Sequence, residues 1–441
     1  MRRGSGRVRM AAALVWVVAC LWSAARADGQ VSFQDAIALA VRNSPRMKAA
    51  ENDVAKAEFG VAVVKDLYIP SVTIGGGAGY SYGITLTVPT IFTVSAQSVV
   101  FGFRQRYDLK AAHADLKAAR LALGEIKQQV EEDAAITYLS LDAAQSTAGA
   151  LDEQYDVAMK LAAIMKDRLG AHLESELEVM KYRRGALQIR LGEMQAADNA
   201  EDLRGHLSQI TGIPVTELKI EPETIPRIAA ESAEGGEAYP ETPGIKAAAM
   251  TDKAKALRAK GDADYMWRPQ IGFGASYGRV SPIQNVTEFY NLNGIYNTYS
   301  VGVSVQFPIL DMVRRAAAKE SKLDTERSLM DLAILRSDES AGRHKMARSL
   351  PELATKAELA DVDYEIAQDE LSDTLAHSQH ATGGTPVTEK DVENARIEER
   401  AKYVEMLDAK LTARKSQITF LRLTGRLDAW LSGLKAPGTP N

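Results

Sequence analysis

The 441-residue chain is long enough for roughly three average domains or one elongated one, and its 46% hydrophobic and 25% charged residues exclude disorder and collagen-like repetition. Its net charge is −5; residues 1–27 hold five of the 53 basic residues and none of the 58 acidic ones, leaving −10 for the remainder. That acidic balance argues against nucleic acid as a partner. A single cysteine, Cys20, rules out a disulfide framework, a zinc knuckle or a thiol nucleophile beyond it.

Arg2 to Arg9 form a basic region before the apolar run Met10 to Trp22, and Ala25-Arg26-Ala27 follows as the small-x-small pattern at which signal peptidase cuts. The run is too short to span a bilayer, so residues 1–27 are expected to be a cleaved export signal. Val17-Val18-Ala19-Cys20 offers a second possibility, lipidation at Cys20, although Leu21 and Trp22 continue the apolar run past the cysteine. Beyond residue 27 no stretch of about 18 apolar residues is present, so no transmembrane helix is expected.

The rest reads as one unit written twice. The first repeat, 28–221, opens with a helical run from Phe33 to about Leu67, continues through a Gly/Tyr/Thr-rich hairpin at about 70–101, and closes with helices at 102–169 and 174–211. A Pro/Glu/Gly-rich linker, 222–243, leads to the second repeat, 244–432. It contains a helix up to Met266, a hairpin at about 269–309 and helices at 310–380 and 387–432; residues 433–441 read as a disordered tail. The echoes are specific: Pro70-Ser-Val-Thr-Ile-Gly against Pro269-Gln-Ile-Gly-Phe-Gly, Glu178-Val179 against Asp391-Val392, Thr211-Gly212 against Thr424-Gly425. A period near 200 residues fits tandem duplication rather than a solenoid.

From Ala112 to Leu169 small or apolar residues recur at alternating three- and four-residue steps, with one stutter between Val130 and Ala134. That is a coiled-coil seam, half of it alanine, on a helix roughly 100 Å long at 1.5 Å per residue. Two shorter helices laid end to end match its length, as in a strut. Pro351 predicts a kink in the second long helix.

The hairpins alternate with period two. Val72, Ile74, Tyr80 and Tyr82 face one way in the first strand, Phe92 and Val94 in the second, Ile271, Phe273 and Tyr277 in the third, and Tyr299, Val301, Val303 and Val305 in the fourth. Gly, Ser and Thr fill the positions between. One face is apolar and the other tiny and polar, over the roughly 9–11 residues of a membrane barrel strand, with these apolar side chains toward lipid. Two surface hairpins on a soluble core are the alternative, but the polar faces offer nothing to pack a core. A strand in lipid cannot leave an edge unpaired, and four strands cannot close a barrel when about eight is the minimum. Several copies must share one.

The Phe33-Gln-Asp-Ala-Ile-Ala-Leu-Ala-Val-Arg-Asn-Ser-Pro45 opening, the duplicated plan and the glycine breaks resemble the TolC-like outer membrane factor family over nearly the whole chain after residue 30. The resemblance implies a mainly α protein with a small β part: antiparallel coiled-coil helices in two tandem repeats, each giving a hairpin to a 12-stranded barrel shared by a homotrimer in outer-membrane lipid. It further implies a periplasmic helical tunnel that docks onto an adaptor (membrane fusion) protein and an inner-membrane transporter. By the same resemblance the docking tips are Leu169, Gly170, Ala171 and Ser175 in the first repeat and Gly383, Gly384, Thr385 and Pro386 in the second. The family's entrance acids map to Asp391 and, as a departure, to the uncharged Asn394; Pro386 stands where better-known members have an arginine. Asp391 alone could ring the axis as a cation-attracting constriction or serve as a helix-start carboxylate.

No catalytic constellation is visible. His377 and His380, with Asp373 one turn earlier, could bind metal in three copies, but an exposed polar tip explains them equally. No cofactor is implied. The functional expectation is a passive exit duct for efflux or type I secretion; the alternative is a structural periplasmic coiled-coil protein without channel activity.

Overall fold

A computed structural model describes residues 30–77, 91–228, 239–265, 268–280, 297–307, 311–379 and 387–434. They are mainly helical with a small sheet. In chain order the elements are β1 (Gln30–Val31), α1 (Phe33–Asn43), α2 (Pro45–Asp66), β2 (Ser71–Gly77), β3 (Ile91–Phe101), α3 (Phe103–Gly170), α4 (Glu176–Thr211), β4 (Lys219–Ile220), a 3₁₀ turn (Pro222–Thr224), α5 (Pro243–Tyr265), β5 (Gln270–Val280), β6 (Asn297–Gln306), α6 (Met312–Gln379), α7 (Glu389–Leu423) and α8 (Leu427–Gly433).

Two compact units result, and they do not follow the two sequence halves. One takes residues up to Lys48, Ile126–Pro240 and those from Glu339; the other takes Ala49–Glu125 and Glu241–Asp338. Both halves therefore contribute to each unit.

The first unit has a closed core. Phe33 meets Tyr138 edge-on at 5.5 Å and Trp430 at 6.2 Å. Tyr138, wholly buried, has its hydroxyl 2.9 Å from the Val31 carbonyl and accepts the Glu221 N–H at 2.8 Å. It thereby staples the two-residue parallel ribbon β1–β4, in which Val31 pairs with Ile220. Burial around this point covers Thr137 through Leu141, more of α3 than a heptad seam. The ends of α4 and α7 are built alike. Thr211 and Thr424 are both fully buried and return their hydroxyls to the carbonyl four residues back, at 2.6 and 2.8 Å. Gly212 (φ 78°) and Gly425 (φ 70°) then turn left-handed, a conformation that a side chain resists.

In the second unit α3 and α5 approach closely through Ala111, Ala114 and Ala254, all buried. A Cβ on Gly261 would come within 3.1 Å of the Tyr107 Cβ. Arg258 pairs with Asp115, Arg120 with Glu58 at 2.8 Å, and the Ser321 hydroxyl donates to Asp262 at 2.6 Å.

Three expected boundaries differ. The helix expected from Phe33 to Leu67 breaks at Ser44 (φ −54°, ψ 130°), because a residue before proline is pushed out of the helical region. Pro45 then opens α2, and the Asn43 amide donates to the Thr211 carbonyl at 2.5 Å. The helix expected over 387–432 ends at Leu423, and α8 forms separately after the left-handed Gly425. Residues 433 and 434 of the expected tail belong to the fold: Gly433 ends α8 and the Leu434 carbonyl accepts from Gln34. By contrast, α6 runs unbroken through Pro351, whose missing N–H leaves the Ala347 carbonyl without its helical donor.

Candidate functional site

The four longer strands form one antiparallel sheet in the order β2-β3-β5-β6. The expected hairpins are thus joined through ten paired positions between β3 and β5. Cross-strand rows show how the alternation is used. Ile74, Val94, Tyr277 and Tyr299 make one row; Val72, Ala96, Ala275 and Val301 make the next. Phe273 beside Val303 and Ile271 beside Val305 extend the same face toward the helices. A bulge at Val100 restores the apolar register, setting Phe101 opposite Ile271.

The other face is Thr73, Ser95, Ser276 and Ser300 in one row, with Gly75, Thr93, Gly278 and Thr298 beside it. Its hydroxyls bond one another, Thr73 with Ser95 at 2.6 Å and Ser276 with Ser300 at 2.7 Å. This small-residue side borders a concavity of about 1010 Å³, whose lining also includes Phe273, Ala275, Val301 and Val303 from the strands and Val63, Leu67 and Ile69 near the end of α2. The apolar face is most exposed on the edge strands, where Val301 is 76% exposed, Tyr299 74% and Ile74 70%, and is half-buried at Val94, Phe273 and Tyr277 between them. Among the described residues neither β2 nor β6 has a partner on its outer edge.

The second feature lies at the far ends of α3 and α7, within the first unit. Helix α3 stops in a Schellman turn, with Leu173 N–H bonding the Arg168 carbonyl at 2.9 Å and His172 N–H the Leu169 carbonyl at 3.0 Å. The left-handed residue is His172 (φ 58°), while Gly170 ends the helix with open space where a Cβ would go. Ser175 caps α4 by accepting the Glu178 N–H at 3.3 Å. Glu174 bridges the two tips, 3.2 Å from Arg168 and 3.7 Å from Lys390, and the Lys390 ammonium lies 5.4 Å from the Tyr182 ring. Asp391 accepts the Thr388 hydroxyl at 2.6 Å and the Thr388 N–H at 2.9 Å. These two bonds hold its carboxyl below the usual range. Its observed bonding is that of a helix-start cap, with Asn394 half-buried one turn later. His377 binds the Asp373 backbone carbonyl at 2.7 Å rather than its carboxylate.

No protein-family model and no curated protein sequence matches the chain. Solved structures do. The CmeC outer membrane channel of Campylobacter jejuni aligns with a TM-score of 0.70 at 13% identity, over 90% of this chain and 86% of that one. The outer membrane protein VceC of Vibrio cholerae gives 0.69 at 14%, over 89% and 96%. The open-state MtrE outer membrane channel of Neisseria gonorrhoeae gives 0.62 at 14%, over 90% and 89%. The chain has the outer-membrane-channel fold. The resemblance to the outer membrane factor family, read from residue order, holds at the level of that fold.

Within this channel fold, Val72, Ile74, Phe92, Val94, Ile271, Phe273, Tyr277, Tyr299, Val301, Val303 and Val305 share one sheet face, as their alternation requires. Tyr80, Tyr82, Gly383, Gly384, Thr385, Pro386, His380 and Cys20 lie outside the described residues, as does the proposed signal segment up to residue 27. The Arg168–Glu174–Lys390 bridge escaped sequence reading, because Lys390 lies more than 200 residues from the other two and the set carries no motif. Among the described residues no helix is long and apolar enough to cross a membrane, and no cluster suited to a metal ion occurs.

Proposed function

We propose that this chain is one protomer of a homotrimeric outer-membrane exit duct serving a tripartite efflux pump or a type I secretion system. Three copies of a four-stranded sheet supply 12 strands, within the range of known barrels and with every edge paired. The carrying observation is that sheet: apolar on one face, hydroxyl- and glycine-rich on the other, and without a partner on either outer edge among the described residues. Lipid covers the first face and water fills the second. Residues 1–27 direct export and are removed.

Exposed apolar stripes support contacts between copies. On α4 they are Leu177, Met180, Leu187, Leu191 and Met194; on α6, Leu359, Val362 and Ile366. Both keep the three-, four- and seven-residue spacing of a helix seam still lacking its partner. The helices form a periplasmic tunnel, and the tips at Leu169–Ser175 and 383–386 meet the adaptor, with Leu173 exposed there. Asp391 places a carboxylate near the entrance while capping its own helix. The chain supplies no chemistry; the inner-membrane transporter supplies the energy.

Reconstitution into planar bilayers tests this. A duct gives discrete ion-conducting steps, and a structural coiled-coil protein gives none.

A further inference from the structure

Where the apolar sheet face meets the helices, Phe103, Arg106, Tyr107, Lys110 and Arg268 line a small cavity of about 170 Å³. Three cations converge there, and among the described residues no carboxylate lines it. Aromatic rings hold each cation in place. The Arg268 guanidinium is 4.3 Å from the Phe103 ring centre, Arg106 is 5.9 Å from Phe101, and the Lys110 ammonium is 5.8 Å from Tyr107. Arg268 has Asp264 at 3.7 Å, a loose and half-exposed pair; among the described residues Arg106 and Lys110 make no ion pair.

The position gives the cluster its meaning. Phe101 ends β3 on the apolar face, opposite Ile271, and packs edge-on against Phe103 at 5.0 Å. The cations therefore stand at the rim of the surface that the duct reading gives to lipid, where headgroups lie and long cationic side chains extend toward the interface. The cavity is smaller than the roughly 300–1,000 Å³ of sites for drug-sized ligands, so it suits an anionic group rather than a whole metabolite. Arginine forks match phosphate oxygens, with lysine adding a point charge. A free anion would gain only the charges, whereas a lipid also gains the Phe101 and Phe103 rings beside its glycerol and first methylenes.

We propose that the Arg106–Lys110–Arg268 cavity binds the phosphate of an anionic phospholipid at the helix-side rim of the sheet. The assignment rests on the sheet being the membrane segment. The test uses the full-length protein purified from membranes, with phosphatidylglycerol retention measured by native mass spectrometry and conductance recorded on the same preparation.

At roughly fivefold per cation near a membrane surface, R106Q/K110Q should retain phosphatidylglycerol roughly 30-fold more weakly, and R106Q alone roughly fivefold more weakly. Lys117→Gln, the same charge change on an exposed residue outside the cavity, should change nothing. Excess inorganic phosphate should fail to displace the lipid. The site is overturned if R106Q/K110Q retains the lipid like wild type, or if Lys117→Gln loses as much. Displacement by inorganic phosphate would overturn the lipid as ligand. A preparation that conducts while failing these tests refutes the site alone; one that neither inserts nor conducts refutes the duct reading as well.

Discussion

The core around Tyr138 and the four-stranded sheet use similar residue types to opposite ends. In the core Phe33, Leu141 and Leu207 are essentially buried, and the Tyr138 hydroxyl is paired, all within one chain. In the sheet Tyr299, Val301 and Val303 are largely bare, and two rows of edge groups are unpaired among the described residues. Burying apolar surface and pairing backbone groups are general requirements. The core meets them alone. The sheet by itself does not, so one chain carries a self-sufficient core and a sheet that, on the duct reading, neighbouring copies and lipid would complete.

The largest effect should come from damaging the self-sufficient side. Phe33→Ala removes the ring between Tyr138 and Trp430 and should cost about 3–5 kcal/mol. Denaturant unfolding followed by helical circular dichroism would measure it; a loss below 1 kcal/mol would mean the core tolerates the hole. Next is Val301→Arg on the apolar face, two rows in from the Phe101–Ile271 rim, expected to cost about 2–4 kcal/mol in the bilayer interior. Its readout is the yield of heat-modifiable oligomer in membranes. Ser300→Arg, on the opposite face, should assemble and alter conductance instead. Equal assembly of the two variants would abolish the distinction between the faces.

A third test sharpens the core side. Glu131 is buried beside Lys127 (3.3 Å), which also holds Asp428 at 2.8 Å. Burial, opposed by Lys127 and reinforced by Asp428, pushes the Glu131 carboxyl up to about 7 from 4.5. A raised acid favours the folded state while protonated, so its stabilisation is complete below pH 4.5 and lost as pH rises through about 7. Wild type should lose about 2–3 kcal/mol over that window relative to Glu131→Gln. Parallel pH profiles for the two proteins would refute it. The smallest effect is at the tip, where His172→Gly should stabilise the left-handed turn by about 1 kcal/mol in thermal unfolding, while Gly170→Ala should cost nothing.

What could be read from the chain followed from periodicity. Strand alternation fixed the two faces before any pairing was known, and Thr-Gly at 211–212 and 424–425 marked helix ends that prove left-handed. What could not be read was non-local. Pairing of β3 with β5 joins strands from different halves, and Tyr138 carries no signal that its hydroxyl will meet residues 31 and 221. The Ser44 break was readable from Pro45, yet the strong apolar pattern around Phe33 to Ala40 masked it. At the tip, Gly170 was the natural candidate for the turn, while the hydrogen bonding places it two residues later, at a histidine.

The most direct measurement is the number of chains in the particle extracted from membranes in mild detergent, read by native mass spectrometry. Three copies, with no folded monomer outnumbering them, is the outcome expected if each sheet is completed by its neighbours. A monomer that stays soluble and folded without detergent, both sheet edges accessible to exchange, would contradict it.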